Sequence, residues 1–146
     1  MVPAKPLPDE PGRRILMQEV LGRVAWSIRR GLNASQQQIA DQIGLPPSTV
    51  SKLEMGNVSM AVHHLDSLAG AFTVLDEELR GKRAEPWEGW ELHRIADEIA
   101  DGLSERGYAV IWLRPDLVED EGLFTRGKQL VALMKECWPD ALRRRP

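Results

Sequence analysis

Between Asn33 and Gly56 the chain is punctuated so tightly that only short helices fit. Ser35-x-x-Gln38 has the spacing of a capping box. The serine hydroxyl can accept from the Gln38 backbone N–H, and the Gln38 side chain can reach back to that of Ser35. Ile39, Ala40 and Ile43 then supply one apolar face, and Gly44 ends the segment after barely two turns. Pro47 suits the first position of a second short helix, where no N–H is needed. Val50 and Leu53 point that helix inward, and Gly56 stops it.

Helical segments flank this pair. Val20, Leu21, Val24 and Ile28 share one face of an earlier helix. It should close near Asn33, because asparagine tolerates the left-handed backbone at helix ends. A fourth helix is expected from about Ala61, with Val62, Leu65, Leu68, Ala69 and Phe72 inward. Its first residue lacks a polar cap, for which Ser59 can substitute. A fifth turn or helix, Leu75 to Leu79, should close the unit.

The chain divides into three zones on this reading. Residues 1–14 form an arm with too many prolines for a helix. Residues 15–82 form the helical domain, and residues 83–146 a C-terminal unit entered through Gly81–Pro86. In that last unit Trp90, Leu92, Ile95, Ala96, Ile99 and Leu103 make the apolar stripe of a helix opened by Pro86 and Trp87. Gly107 ends it. Tyr108 to Leu113 reads as a strand that Pro115 stops, and Arg126 to about Trp138 as a last helix with Leu130, Val131 and Met134 inward.

A single strand cannot satisfy its own backbone groups. No second strand is evident in the sequence, so the segment is expected to pair with its copy in another subunit. Tyr108, Val110 and Trp112 would then lie at a dimer contact. Four of the five tryptophans fall in this half, and buried aromatics anchor interfaces. An ordinary helical cap, with the segment weakly paired, is the plainer alternative.

Charge is divided unevenly. The chain carries a net −3, but residues 1–83 hold ten Lys and Arg against nine Asp and Glu, and residues 84–146 hold nine against thirteen. A polyanionic partner would therefore meet the first half. One cysteine, Cys137, permits no internal disulfide, which suits a reducing compartment. The proline-rich start is unlike a secretory signal, and no apolar run approaches the ~20 residues of a membrane span. A cytoplasmic protein is expected, with no membrane association.

Two short helices hinged at a glycine have the geometry of a helix-turn-helix. From Leu21 to about Leu79 the chain resembles the phage-repressor-like (Cro/CI, XRE) family. The pieces stand in order as Leu21-Gly22-x-x-Ala25-x-x-Ile28-Arg29, Ser35-Gln36-x-x-Ile39-Ala40, Ile43-Gly44-Leu45, Ser48-Thr49-Val50-Ser51-x-Leu53-Glu54-x-Gly56 and Leu65-x-x-Leu68-Ala69. The fold class implied is mainly α: a five-helix lambda-repressor-like domain, followed here by a small helix–strand–helix unit.

The resemblance also implies roles. Arg29 and Glu54 occupy the family's structural ion-pair positions. Gln36 stands where the family grips the phosphate backbone at a helix N-terminus. The outer face of the third helix, with Pro47, Ser48, Thr49, Ser51 and Lys52, would lie in the major groove of double-stranded DNA. Asn57 falls at a phosphate-contacting position. Two departures stand out: Pro46 replaces the usual Ser or Thr cap, and Pro47 a base-reading polar residue. Lys52 is the only cation on that helix, so base contacts are sparse and DNA shape carries more of the readout.

The expectation is a sequence-specific transcription regulator: a dimeric repressor, often autoregulatory in this family, on an inverted-repeat operator. An antitoxin or anti-activator, holding a protein partner through residues 87–146, is the runner-up. A ligand sensor with Trp87, Trp90 and Trp112 around an aromatic pocket is a third reading. Catalytic motifs such as HExxH, GxSxG, a phosphate loop or paired CxxC are absent from the sequence. Neither enzyme activity nor a cofactor is expected. Adjacent His63 and His64 diverge on a helix and read as surface residues rather than metal ligands, as does His93. Glu119-Asp120-Glu121 reads as a solvated loop and Arg143-Arg144-Arg145 as a charged tail.

Overall fold

The structure is a computed structural model, and it describes residues 14–58, 60–111 and 127–138. Ser59, Trp112, Pro115, the acidic run at 119–121, the terminal arginines and the arm up to residue 13 lie outside the described residues.

A short strand β1 (Arg14–Leu16) leads directly into α1 (Met17–Gly31). Arg29 and Arg30 occupy the last turn of α1, where cations complement the helix dipole. Asn33 follows with φ 57°, the left-handed turn expected of it. Helix α2 (Gln36–Ile43) begins with the capping box: the Gln38 N–H donates to Ser35 Oγ at 3.1 Å, and the Ser35 N–H donates to Gln38 Oε1 at 2.8 Å. Gly44, at φ 71°, turns the chain into α3 (Pro47–Met55), with Pro47 in its first turn.

Helix α4 runs unbroken from Val62 to Arg80. The turn or helix expected at Leu75 to Leu79 is therefore the end of α4, not a separate element. Nothing interrupts it: the stretch holds no glycine or proline, Leu75 and Asp76 are buried, and Asp76 is paired with Arg80 at 2.7 Å. His64 takes over the capping work at the start, its Nδ1 accepting from the Ala61 N–H at 3.1 Å.

The C-terminal segment comprises α5 (Gly89–Glu105), strand β2 (Ala109–Ile111) and α6 (Gly127–Cys137). Helix α5 packs against both α1 and α4, and α6 against α1. Leu92, Ile95, Ala96, Ile99, Leu103, Leu130 and Met134 join the same buried cluster as Val20, Leu53, Leu68 and Phe72. The passage through residues 81–86 thus links two stretches of sequence without dividing the core. The Trp87 N–H donates to Thr73 Oγ1 at 2.7 Å, and its ring meets Phe72 edge-on with centroids 6.2 Å apart. Trp90, placed on the apolar stripe of α5 by its sequence, is instead 60% exposed. The helix begins at Gly89, and the buried stripe passes through Leu92, Ile95 and Ile99, leaving position 90 outside it.

Strand β2 finds its partner within the chain. It pairs in parallel with β1, Ile15 opposite Val110. The expectation that it must pair with a second subunit is corrected on this point. The signal was hidden because β1 is only three residues long, follows the proline-rich arm and runs into a helix without a turn. No helix among the described residues is long and apolar enough to cross a membrane.

Candidate nucleic-acid interface

Helices α2 and α3 form a pair held from behind by α1. The approach of α1 to α3 requires glycine at two places. A Cβ on Gly22 would lie 2.3 Å from the Leu53 carbonyl oxygen, and one on Gly56 would lie 2.6 Å from Glu19 Cα. Gly56 also has φ 75°, the left-handed closure of α3. The Gln18 side-chain amide donates to the Gly56 carbonyl at 3.1 Å. Recognising Leu21-Gly22 as a motif did not reveal this packing role, nor the burial of Gln18 and Glu19 beside it.

One carboxylate organises the three helices. Arg29 Nε donates to Glu54 Oε2 at 2.7 Å and Arg29 Nη2 to Oε1 at 3.1 Å. The third guanidinium nitrogen, Nη1, donates to the Ala34 carbonyl at 2.9 Å, tying down the link between α1 and α2. Gln36 Nε2 donates to Glu54 Oε1 at 2.8 Å. Both charged partners are buried. A buried pair is sustained only when its remaining hydrogen-bonding capacity is met, as the bonds to Ala34 and Gln36 do here.

Gln36 therefore sits in the first turn of α2 with its side chain engaged inside the protein. The N-terminus of α2 opens on a polar cleft of about 630 Å³ lined by Arg30, Asn33, Ser35, Gln36 and Gln38 among others. Helix N-termini of this kind accept anions through free N–H groups. Arg30, exposed and lying over the Trp26 ring at 5.5 Å, brings a cation to that cleft. Sequence reasoning passed over Arg30, although its place beside Arg29 at the end of α1 was a usable signal.

The opposite side of α3 faces outward. Val50, Leu53 and Glu54 are buried, while Ser48 and Lys52 are exposed and Pro47, Thr49 and Ser51 half-buried. Met55 is also exposed, its sulfur accepting from the Ser51 hydroxyl at 3.7 Å. Asn57 is exposed just beyond the helix, and its backbone N–H closes α3 by donating to the Lys52 carbonyl at 3.0 Å. Exposed serine, lysine and asparagine side chains on α3 and just beyond it can contact base edges and phosphates.

Tyr108 and Val110 lie apart from this surface, half-buried against the core beside β1, and Trp112 falls outside the described residues. Among the described residues no group of three or more His, Cys, Asp or Glu could hold a metal ion.

A helix-turn-helix family model matches residues 27–79, the span from the end of α1 to the end of α4. No curated protein and no solved structure matches the chain. Residues 27–79 are a helix-turn-helix domain of the phage-repressor-like (Cro/CI, XRE) family, and the chain that carries it is a DNA-binding transcription regulator of that type.

Proposed function

We propose that the protein represses transcription as a homodimer bound to an inverted-repeat operator in duplex DNA. The observation that carries this reading is the outward face of α3. The Arg29–Glu54–Gln36 bonds hold the helix from behind, leaving Ser48, Lys52 and Asn57 outward. The cleft at the start of α2, with Arg30 beside it, supplies a phosphate seat next to that face.

Dimerisation follows from economy of contact. One such module covers little DNA and binds modestly. Two on a two-fold axis read half-sites about 34 Å apart. The sheet has only two strands among the described residues, so the outer edge of β2, with Tyr108 and Val110 beside it, is the proposed contact between protomers.

The test is a salt titration of binding to the DNA upstream of the protein's own gene, against a scrambled duplex. The expected result is a preference of about a thousandfold or more and a steep fall with salt. Weak, equal binding to both duplexes overturns the reading.

A further inference from the structure

On the side of α4 that faces the start of α5 lies an open groove of about 850 Å³. Its apolar lining includes Val62, Leu65, Trp87 and Trp90. Two of these are unusually bare: Val62 is 74% exposed and Trp90 60%. Pockets of this size suit drug-sized molecules.

Gly70 gives the groove its meaning. It lies in the interior of α4, where glycine costs helix stability. Gly22 and Gly102 also interrupt helices, but each is explained by an atom a Cβ would strike, the Leu53 carbonyl and the Trp138 ring. A Cβ on Gly70 would meet nothing within 4 Å. Packing within the described residues therefore does not require it. It lies in the lining of the groove, so a larger side chain there would take up part of that space.

The rim gives the groove a sign. Asp66, Glu88 and Asp97 bring three carboxylates, and Arg94 the single guanidinium. Arg94 leans to Glu98, 3.6 Å away and outside the lining. His93 is paired with Asp97 at 2.9 Å. The Trp90 indole N–H donates to Glu88, which holds ring and carboxylate together. Indole rings beside carboxylates are a setting for a cation with apolar substituents, since the ring quadrupole and the anion both favour positive charge.

We propose that this groove is a binding site for a lipophilic organic cation. It is separate from the α2–α3 face and does not depend on DNA binding.

The experiment uses two ions of one shape and opposite charge, tetraphenylphosphonium and tetraphenylborate, titrated calorimetrically into the full chain and into the Gly70→Leu and Trp90→Ala variants. Leucine at 70 fills the groove while favouring the helix, so loss of binding there is not loss of fold, which circular dichroism checks. Tetraphenylphosphonium is expected to bind at least about tenfold more tightly than the borate. Each substitution should weaken it by about tenfold or more. Sedimentation should be the same for the parent and Gly70→Leu. The proposal is overturned if the phosphonium does not bind, if both ions bind alike, or if Gly70→Leu leaves binding intact. It also falls if Gly70→Leu changes the oligomeric state, because the groove's occupant is then a second copy of the chain.

Discussion

Glu54 of α3 is gripped at two points by Arg29 of α1, with Nε and Nη2 of the guanidinium each reaching one carboxylate oxygen at 2.7 and 3.1 Å. The pair is buried and shared with α2 through Gln36. Removing the cation leaves a carboxylate without charge compensation in the interior. Arg29→Ala should lower unfolding stability by about 3–5 kcal/mol, read from urea denaturation. A loss under about 1 kcal/mol would show that Glu54 is rehydrated at little cost.

Gln36 and Lys52 should separate when each is truncated. The Lys52 side chain is exposed, and alanine keeps the backbone carbonyl that closes α3, so Lys52→Ala should weaken DNA binding with stability within about 0.5 kcal/mol of the parent. If the lysine meets phosphate, the salt slope of binding also falls by about one. Gln36→Ala should weaken DNA binding and additionally cost about 1 kcal/mol of stability, because its bond to Glu54 is lost. Unchanged stability in Gln36→Ala would mean that the Glu54 bond contributes nothing net.

Two glycine-to-alanine changes should have opposite signs. At Gly22 the new methyl would sit 2.3 Å from the Leu53 carbonyl and 2.6 Å from that of Glu54, both backbone atoms that cannot move aside alone. Gly22→Ala should force α1 from α3 and cost about 1–3 kcal/mol or more. Gly70→Ala meets open space and should gain about 0.5–1 kcal/mol from helix propensity. Thermal unfolding of the two variants checks both signs.

Glu19 gives the fold a pH dependence. Burial pushes its carboxyl from the usual 4.5 up to about 7, with the Arg23 charge pulling partly the other way. Between those values the folded protein binds more protons than the unfolded chain. Stability should therefore fall as pH rises through this window and stay lower above it. Glu19→Gln keeps the shape and abolishes the charge, so its stability should change less between pH 5 and pH 8 than the parent's. At pH 8 it should exceed the parent by on the order of 2 kcal/mol. A variant whose pH profile overlays the parent's would mean that Glu19 is solvated in the folded state.

Much of the domain was legible because its signals are local. Ser35 with Gln38, Pro47, and the glycines at 44 and 56 each act on backbone groups within a turn of themselves. Their effect does not depend on what packs elsewhere. Most inward positions of α1 to α4 were legible for a related reason, since a helix buries whatever stripe is apolar. Val62, expected inward, is instead 74% exposed, because it stands in the first turn of α4 at the open groove and not over the core. Trp90 misled because a side chain's hydrophobicity says nothing about which edge of the stripe faces the core. The pairing of β2 was illegible because a three-residue partner 95 positions away leaves no periodicity to read.

The sequence by itself determined where each helix of the DNA-reading pair begins and ends, and which residues could face outward on α3. Capping groups and left-handed glycines act over a few bonds and need no tertiary partner. Only the tertiary structure decided that Gln36 and Arg29 meet on one carboxylate, that Gly22 and Gly56 let α1 touch α3, and that α5 closes on α1 and α4. Those relations join residues distant in the chain, and they are set by which faces can reach close packing together.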